Sequence, residues 1–406
     1  MPDGEVDVDA VAAVFRAEAG QVVASLVRRG SSIDQAEDAL QEAFAVAMDA
    51  WRRDGLPARP GGWIATTAKR RLIDRLRRES RRSDKELLGS LTEPVEAPDA
   101  SDDDRLRLIF TCCHPALSLD VRVALTLRAT CGLSTMQIAS LFLVSESTMA
   151  QRLVRGQRKI AVARIPFAVP TGDDLAPRLD AVLAVVYTVF TAGYNARGAV
   201  GRDAAELCRE AIRLGRLLHL LMPREGDVVG LLALMLLHDA RRGARVRDDD
   251  VVLFDDQDRA RWDTAQLAEG LALVERAPRL GPVGQYWLQA AIAAEHMGPT
   301  TSADRNWGRI VVLYERLVRH ARGAPIMRLN HAIAVSMADG PERALVLVDD
   351  LADQLASHSR WHAARADLLG RIGRTGDALE AYESALGLAE GDVTRRSLHR
   401  AMEKLR

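Results

Sequence analysis

The strongest constraint on the fold is a self-similarity at 34-residue spacing near the C-terminus. Ala332 aligns with Ala366, Val335 with Leu369, Ala344 with Ala378, Leu345 with Leu379 and Val348 with Tyr382. Inside each copy the apolar positions step by three and four, the period of one helical face. Alanines at fixed offsets let paired helices approach closely, and Tyr382 fills the gap beside them. A unit this short cannot bury its apolar face alone, so copies must stack. An earlier series, Ala204, Cys208 and Ala211, has the same steps, whereas between 240 and 310 the repeat is weak. Aromatics are only 4% of the chain, and Ala, Leu, Arg and Glu dominate, which favours helix over sheet. The expected fold class is all-α: two small helical domains, the second a helix-turn-helix, and then a large helical-repeat domain.

The N-terminal part carries its own punctuation. Asp9 is expected to cap a helix whose apolar side holds Val11, Phe15, Val22, Val23 and Leu26, with Gly30 ending it. Ser32 and Gln35 have the spacing of a capping box. Ala36, Leu40, Ala43, Phe44, Ala47 and Trp51 then form one helical face, leaving Asp38, Gln41, Glu42 and Asp49 largely outside it. The stretch GLPARPGG (55–62) reads as a loop, and Trp63 to Arg82 as a third, basic helix. Residues 83–104, with Pro94, Pro98 and the acids Asp102–Asp104, read as a linker. Ser134 and Gln137 open a short helix, and Ser145 caps a longer one running to Arg164. Leu143 occupies the turn between them, where Gly is common. Two helices on a tight turn, the second rich in Arg and small polar residues, make a helix-turn-helix.

Charge is segregated along the chain although the net charge is −1. Residues 1–50 hold ten acids and three bases, and residues 60–82 hold eight bases and two acids. Residues 83–104 hold eight acids and one base, and residues 145–164 five bases and one acid. Two basic patches joined by an acidic tether predict a protein that touches a polyanion at two places. No apolar run is read as a bilayer span, the first ten residues are acidic, and four cysteines make no disulfide framework. The expected location is therefore the cytoplasm.

Four constellations are candidates for chemistry. On the basic helix, Lys69, Arg70, Arg71, Arg75 and Arg78 can neutralise phosphates, and Trp63 and Thr67 can meet unstacked bases. The alternative is a solvated basic face over a core tryptophan. On the helix-turn-helix, Ser145, Ser147, Thr148, Gln151, Arg152, Arg155 and Arg158 line the accessible side of the second helix. Gln and Arg there can contact base edges, and the serines can hold phosphates at the helix start. Met149, Leu153 and Ile160 form its buried side; the alternative is an ordinary helical pair. Cys112, Cys113, His114 and Cys131 invite a zinc reading, but adjacent cysteines on a helix diverge by about 100°. They read as buried structural residues, and no metal or cofactor is expected. Finally, His238-Asp239-Ala240-Arg241-Arg242 and Asp255-Asp256-Gln257-Asp258-Arg259 are dense in ionisable groups. They suit helix-end charges and interhelical ion pairs, the alternatives being a hydrolytic site or an anion pocket. No catalytic residues are assigned.

The order of parts resembles bacterial sigma factors of the extracytoplasmic-function type over about residues 8–165. DQAEDALQEAFAVAMDAW (34–51) is similar to the helix that binds the clamp helices of the largest RNA polymerase subunit, which the resemblance carries to Asp38, Gln41 and Glu42. GGWIATTAKRRLIDRLRR is similar to the segment that captures and melts the minus-ten element, which implies that role for Trp63, Thr67, Lys69, Arg70, Asp74 and Arg75. The helix-turn-helix resembles the minus-thirty-five reader. Residues 175–406 resemble the extension of a subgroup with a tetratricopeptide-like C-terminal domain, on AELCREAIRLGRLL, LLALMLLHDARR, DDQDRARWD, LQAAIAAEH and LNHAIAV. One departure is VFTAGY (189–194), where that subgroup has Asn-Glu at the positions of Thr191 and Ala192.

The expected organisation is a polymerase- and minus-ten-binding domain (1–82), an acidic linker (83–104), a helix-turn-helix domain (105–165), a short linker (166–174) and a tetratricopeptide-like regulatory domain (175–406). The expected function is that of a promoter-specificity subunit of RNA polymerase, with polymerase core and promoter DNA as partners and no enzymatic activity of its own. Contact between the C-terminal domain and the first two is a further expectation. A repressor or activator with a sensing repeat domain would leave 34–82 without a purpose, and a helical-repeat enzyme would use the 238–259 carboxylates.

Overall fold

The computed structural model describes residues 8–79, 102–142, 144–195, 201–247, 250–298, 304–320, 324–389 and 391–405. The chain forms two compact units, one of residues 1–196 with 202–214 and one of residues 197–201 with 215–406.

The first unit begins with three helices, α1 (Val8–Arg28), α2 (Ile33–Asp54) and α3 (Pro60–Glu79). Their apolar faces are those of the sequence pattern. Phe15, Val22 and Val23 of α1, Leu40 and Trp51 of α2, and Ile64, Leu72 and Leu76 of α3 are buried together. The Ser32–Gln35 capping box is present in both directions, at 3.1 and 3.0 Å. Two boundaries differ from expectation. Asp9 lies inside the first turn of α1 rather than before it. Pro60, Gly61 and Gly62 belong to α3 rather than to a loop, because proline is pre-set for the first helical position, where its missing N–H costs nothing.

The helix-turn-helix domain follows as α4 (Asp102–Cys112), α5 (Leu119–Cys131), α6 (Thr135–Leu141) and α7 (Glu146–Val162). Gly132 turns the chain between α5 and α6 with φ of 70°, a left-handed conformation that suits glycine. Ser134 and Gln137 form the second capping box, and the Ser145 side chain accepts the Thr148 N–H at the start of α7. Met149 and Leu153 are buried as expected, while Ile160 is only half-buried near the end of the helix. Leu143 lies outside the described residues, as does most of the acidic linker.

The unit is completed by α8 (Leu175–Asn195) and the first half of α9 (Gly201–Leu221). Helix α8 packs on α4 and α5, burying Val182, Leu183, Val186 and Phe190. Arg178 donates to the Phe110 carbonyl at 2.8 Å, and Arg213 of α9 to the Thr130 carbonyl at 3.1 Å. The expectation that no stretch reaches bilayer length is corrected here. The segment Gly172–Tyr194 is long and apolar enough by length and composition. One face of it is buried against α4 and α5, and the rest is half-buried or exposed.

The second unit runs from the end of α9 through α10 (Gly226–Ala240), α11 (Thr264–Arg276), α12 (Gln285–Met297), α13 (Trp307–His320), α14 (Pro325–Ala338), α15 (Pro341–Asp349), a single turn α16 (Ala352–Leu355), α17 (Ser359–Arg371), α18 (Thr375–Gly387) and α19 (Asp392–Glu403). The only strands among the described residues are a two-residue antiparallel pair, Val246–Arg247 with Asp250–Val251. Nearly every residue of α10 is buried, so it is a central helix covered by α11 and α12. The 34-residue register is realised as packing. Ala332, Val335, Ala344, Leu345 and Val348 share one core with Ala366, Leu369, Ala378 and Tyr382. A hydrogen bond also recurs where the sequence repeat is weak. Trp361 Nε1 donates to the Val348 carbonyl at 2.8 Å, and Trp287 Nε1 to the Val274 carbonyl at 2.9 Å. In both cases a tryptophan at a helix start ties back thirteen residues to an earlier helix.

Candidate nucleic-acid interface

Helix α3 packs on α1 and α2 through Ile64, Ala68, Leu72 and Leu76, which leaves its polar side outward. Arg70, Arg71, Asp74 and Arg77 are exposed, and Lys69 and Thr67 are half-buried. Burial, with Arg29 nearby, lowers the Lys69 pKa from its ordinary value. The Arg78 side chain lies outside the described residues. Trp63 is half-buried and sets its ring edge-on to Trp51 at 5.4 Å between centroids. It is both a packing group and a partly open aromatic face.

Arg75 behaves differently from its neighbours. Its guanidinium bonds the Asp38 carboxylate at 2.6 Å and also the Glu42 carboxylate. The hydrogen bond to Asp38 is the main reason its pKa is raised. The structure therefore joins one residue of the expected DNA surface to two of the expected polymerase surface, while Gln41 on the same helix is exposed. Phe44 packs on Phe15 at 4.2 Å.

Beside the start of α3 is a cleft of about 340 Å³ lined by Glu18, Gln21, Ser25, Arg59, Gly61 and Gly62. The sequence reading missed its α1 side. The signal was present, because Glu18, Gln21 and Ser25 are polar at helical spacing beside an apolar stripe. The cleft combines a carboxylate acceptor, an amide, a hydroxyl and helix-start N–H groups, a set that can hydrogen-bond the edge of a base.

On α7, Ser145, Ser147, Thr148, Gln151, Arg155 and Arg158 are all exposed. Ser145 Oγ lies 3.0 Å from Ser147 Oγ and 2.8 Å from Thr148 Oγ1, so the three hydroxyls form one cluster at the helix start. Arg152 is drawn inward, over the Phe142 ring at 5.4 Å and within 3.5 Å of Asp120. The exposed Arg and Gln of α7 suit a groove, and the exposed Arg of α3 suit a phosphate backbone.

The two remaining constellations are structural in their surroundings. Cys112, Cys113, Cys131 and Cys208 are buried thiols outside any disulfide. Cys113 Sγ pairs with Thr126 Oγ1 at 3.3 Å, and burial pushes the Cys113 thiol up to about 11 and the Cys131 thiol up to about 12. His114 Nδ1 instead accepts the Ala116 N–H, and no group of three metal-ligating side chains occurs among the described residues. In the second unit, Asp255 pairs with the buried Arg305, and Asp258 and Asp263 cap helix starts. Arg241 and Arg305 stack on Phe254 at 5.2 and 5.0 Å. Asp255, Asp258 and Asp263 thus have structural partners.

Against known families, Sigma-70 region 2 matches residues 14–82 and Sigma-70 region 4 matches residues 107–160. The chain belongs to the sigma-70 factors, as one of the extracytoplasmic-function type with a C-terminal extension. A family of unknown function (DUF6596) matches the extension at residues 178–278. The "Uncharacterized protein R00370" of Rhizobium meliloti (strain 1021) is 41% identical over 379 residues, which is 91% of this chain and 89% of that one. The crystal structure of the yeast Tom70 aligns over 94% of this chain and 81% of its own, at 11% identity and a TM-score of 0.36, too low to carry an argument. As a sigma factor the chain acts in transcription initiation through RNA polymerase core and promoter DNA, and sigma factor families are not enzymes.

Proposed function

We propose that this sigma factor directs RNA polymerase to specific promoters in the cytoplasm and takes part in melting them. Asp38, Gln41 and Glu42 dock on the clamp helices of the largest subunit. Trp63, Thr67, Lys69, Arg70, Arg71, Asp74, Arg75 and Arg78 hold the minus-ten strand. A base leaving the stack enters the cleft beside Glu18 and Arg59, its unstacking costing a few kcal/mol that polymerase contacts offset. Ser145, Ser147, Thr148, Gln151, Arg152, Arg155 and Arg158 read the minus-thirty-five element. The acidic linker 83–104 threads the positively charged RNA-exit path, and the repeat domain modulates activity through its concave surface.

The observation that carries this reading is the division of one three-helix bundle into two faces. Exposed Arg70, Arg71 and Arg77 stand on α3, and the acids Asp38 and Glu42 stand on α2, with Arg75 between them. Run-off transcription with core polymerase on the chain's own upstream DNA tests it. Full-length protein should yield a defined transcript. Arg70→Ala with Arg71→Ala should lose open complex while keeping polymerase affinity, and each lost phosphate contact should flatten the salt slope by about 0.7–0.9. Equal losses of open complex and polymerase binding would contradict the assignment.

A further inference from the structure

Helix α7 presents a polar row to solvent, and one member of that row is apolar. Val154 is 60% exposed. On the helix it lies about 60° round from Gln151 and about 40° from Arg158, with Ser147 about two turns before it. All three are exposed, as is the neighbouring Arg155. Val154 therefore shares the face assigned to base edges, although it carries no hydrogen-bonding group.

The packing of α7 fixes this orientation. Gly156, nearly opposite Val154 on the helix, is buried. A Cβ there would stand 2.5 Å from Val121 Cγ1 and 3.2 Å from Leu125 Cδ1, so α7 lies directly on α5 at that point. Met149 and Leu153 are buried beside it. Both flanks are tied as well. Gln157 Nε2 donates to Glu37 Oε2 at 3.0 Å, and Arg152 rests over Phe142 and near Asp120. Turning Val154 inward would break these contacts.

A single exposed apolar side chain is ordinarily unremarked on a protein surface. Three physical points set this one apart. Valine is a poorer helix former than Ala, Arg or Gln, so an open position on α7 gains nothing from it locally. Its β-branched side chain keeps one strongly preferred rotamer in a helix, so its methyls stand at a fixed place and lose little freedom on contact. It is also within reach. Residues toward the start of a recognition helix meet base edges, and Val154 lies about 12 Å along α7 from Glu146, against a major groove about 12 Å wide. The apolar group that bases present in that groove is the thymine 5-methyl.

We propose that Val154 reads the 5-methyl group of a thymine in the minus-thirty-five element. This rests on the role proposed above for α7. Side chains three residues apart on a helix stand about 5–6 Å apart, and base pairs about 3.4 Å. The thymine therefore lies one or two base pairs from the pair that Gln151 contacts.

Deoxyuridine lacks that methyl and pairs as thymidine does, so it isolates the contact. Holoenzyme assembled from core polymerase and the full-length chain is bound to a duplex from the chain's own upstream region. Each thymine of the protected upstream element, on either strand, is replaced in turn. One replacement should weaken wild-type binding about fourfold, or 0.8 kcal/mol. Val154→Ala should lose about as much on the unmodified duplex and be indifferent to the replacement, so the two changes together cost no more than either alone. Val162→Ala, at a site 74% exposed but about 12 Å farther along α7, should keep the full penalty. A protected element with no thymine, one in which no replacement weakens the wild type, or a penalty that survives Val154→Ala overturns the assignment and leaves the role of α7 standing. The absence of any protected upstream element, with Gln151→Ala and Arg155→Ala without effect, overturns both. The wild-type arm needs no substitution, so a variant that fails to fold does not leave the question open.

Discussion

The two units are both stacks of helices, but they are held by different means. The C-terminal hairpins share one apolar core that holds most of the aligned positions of both copies. The join between the two DNA-reading modules has close-set glycines, a half-satisfied carboxylate and a pair of arginine contacts. An apolar core is non-directional and adds up with area, so it resists local opening. The join adds charged and polar contacts, specific in geometry, to the packing of α1 against α4 and α5.

The sharpest way to break this comparison is to cut the chain at the family boundary. A chain of residues 1–174 removes α8 from α4 and α5, exposing the surface that Val182, Leu183, Val186 and Phe190 cover. Each such side chain contributes about 1.5–3 kcal/mol of burial. The truncated first unit should therefore unfold at clearly lower denaturant than in the full chain, followed by Trp51 and Trp63 fluorescence. An unchanged midpoint would mean that α8 is dispensable to this unit. Next comes Trp361→Ala, which empties a buried site and removes the indole hydrogen bond to the Val348 carbonyl. It should cost the second unit about 3–5 kcal/mol in calorimetry and leave the first-unit transition in place.

The smallest effect is a difference of sign with pH. His238 is held down to about 3 and His296 to about 4, chiefly by burial, with nearby arginines adding to it. Their unfolded forms take up protons below about 6.5, so the second unit should lose stability as pH falls through that value. Glu37 is raised to about 7, because burial outweighs Arg128, and Asp34 and Asp38 add to it. Its folded form binds the extra proton between about 7 and the unfolded value of 4.5. The same acidification should tighten the join. Hydrogen exchange at pH 7 and pH 5.5, read as protection relative to the intrinsic rate at each pH, should show lower protection in α10 and higher protection in α5, and parallel changes in protection would erase the contrast.

What could be read from the sequence was what is local or periodic. The capping boxes at Ser32 and Ser134 need only four residues, and the repeat needs only one spacing, so both are present as expected. Glu37 was passed over although it sits among Ile33, Ala36 and Leu40 on the buried face, an acid in an apolar stripe. Its partners lie 91 and 120 residues away, beyond any local pattern. The same distance hid α8, whose apolar side covers helices more than sixty residues earlier. Arg152 was expected on the open side of α7, and Phe142 and Asp120 draw it inward.

The four thiols carry one more consequence. With Cys113 pushed up to about 11 and Cys131 up to about 12, on the order of one molecule in ten thousand presents a thiolate at these two sites at neutral pH. Peroxide and electrophiles find nothing to attack there while the fold persists. Direct oxidation of the folded chain falls instead on exposed thioethers such as those of Met136 and Met337.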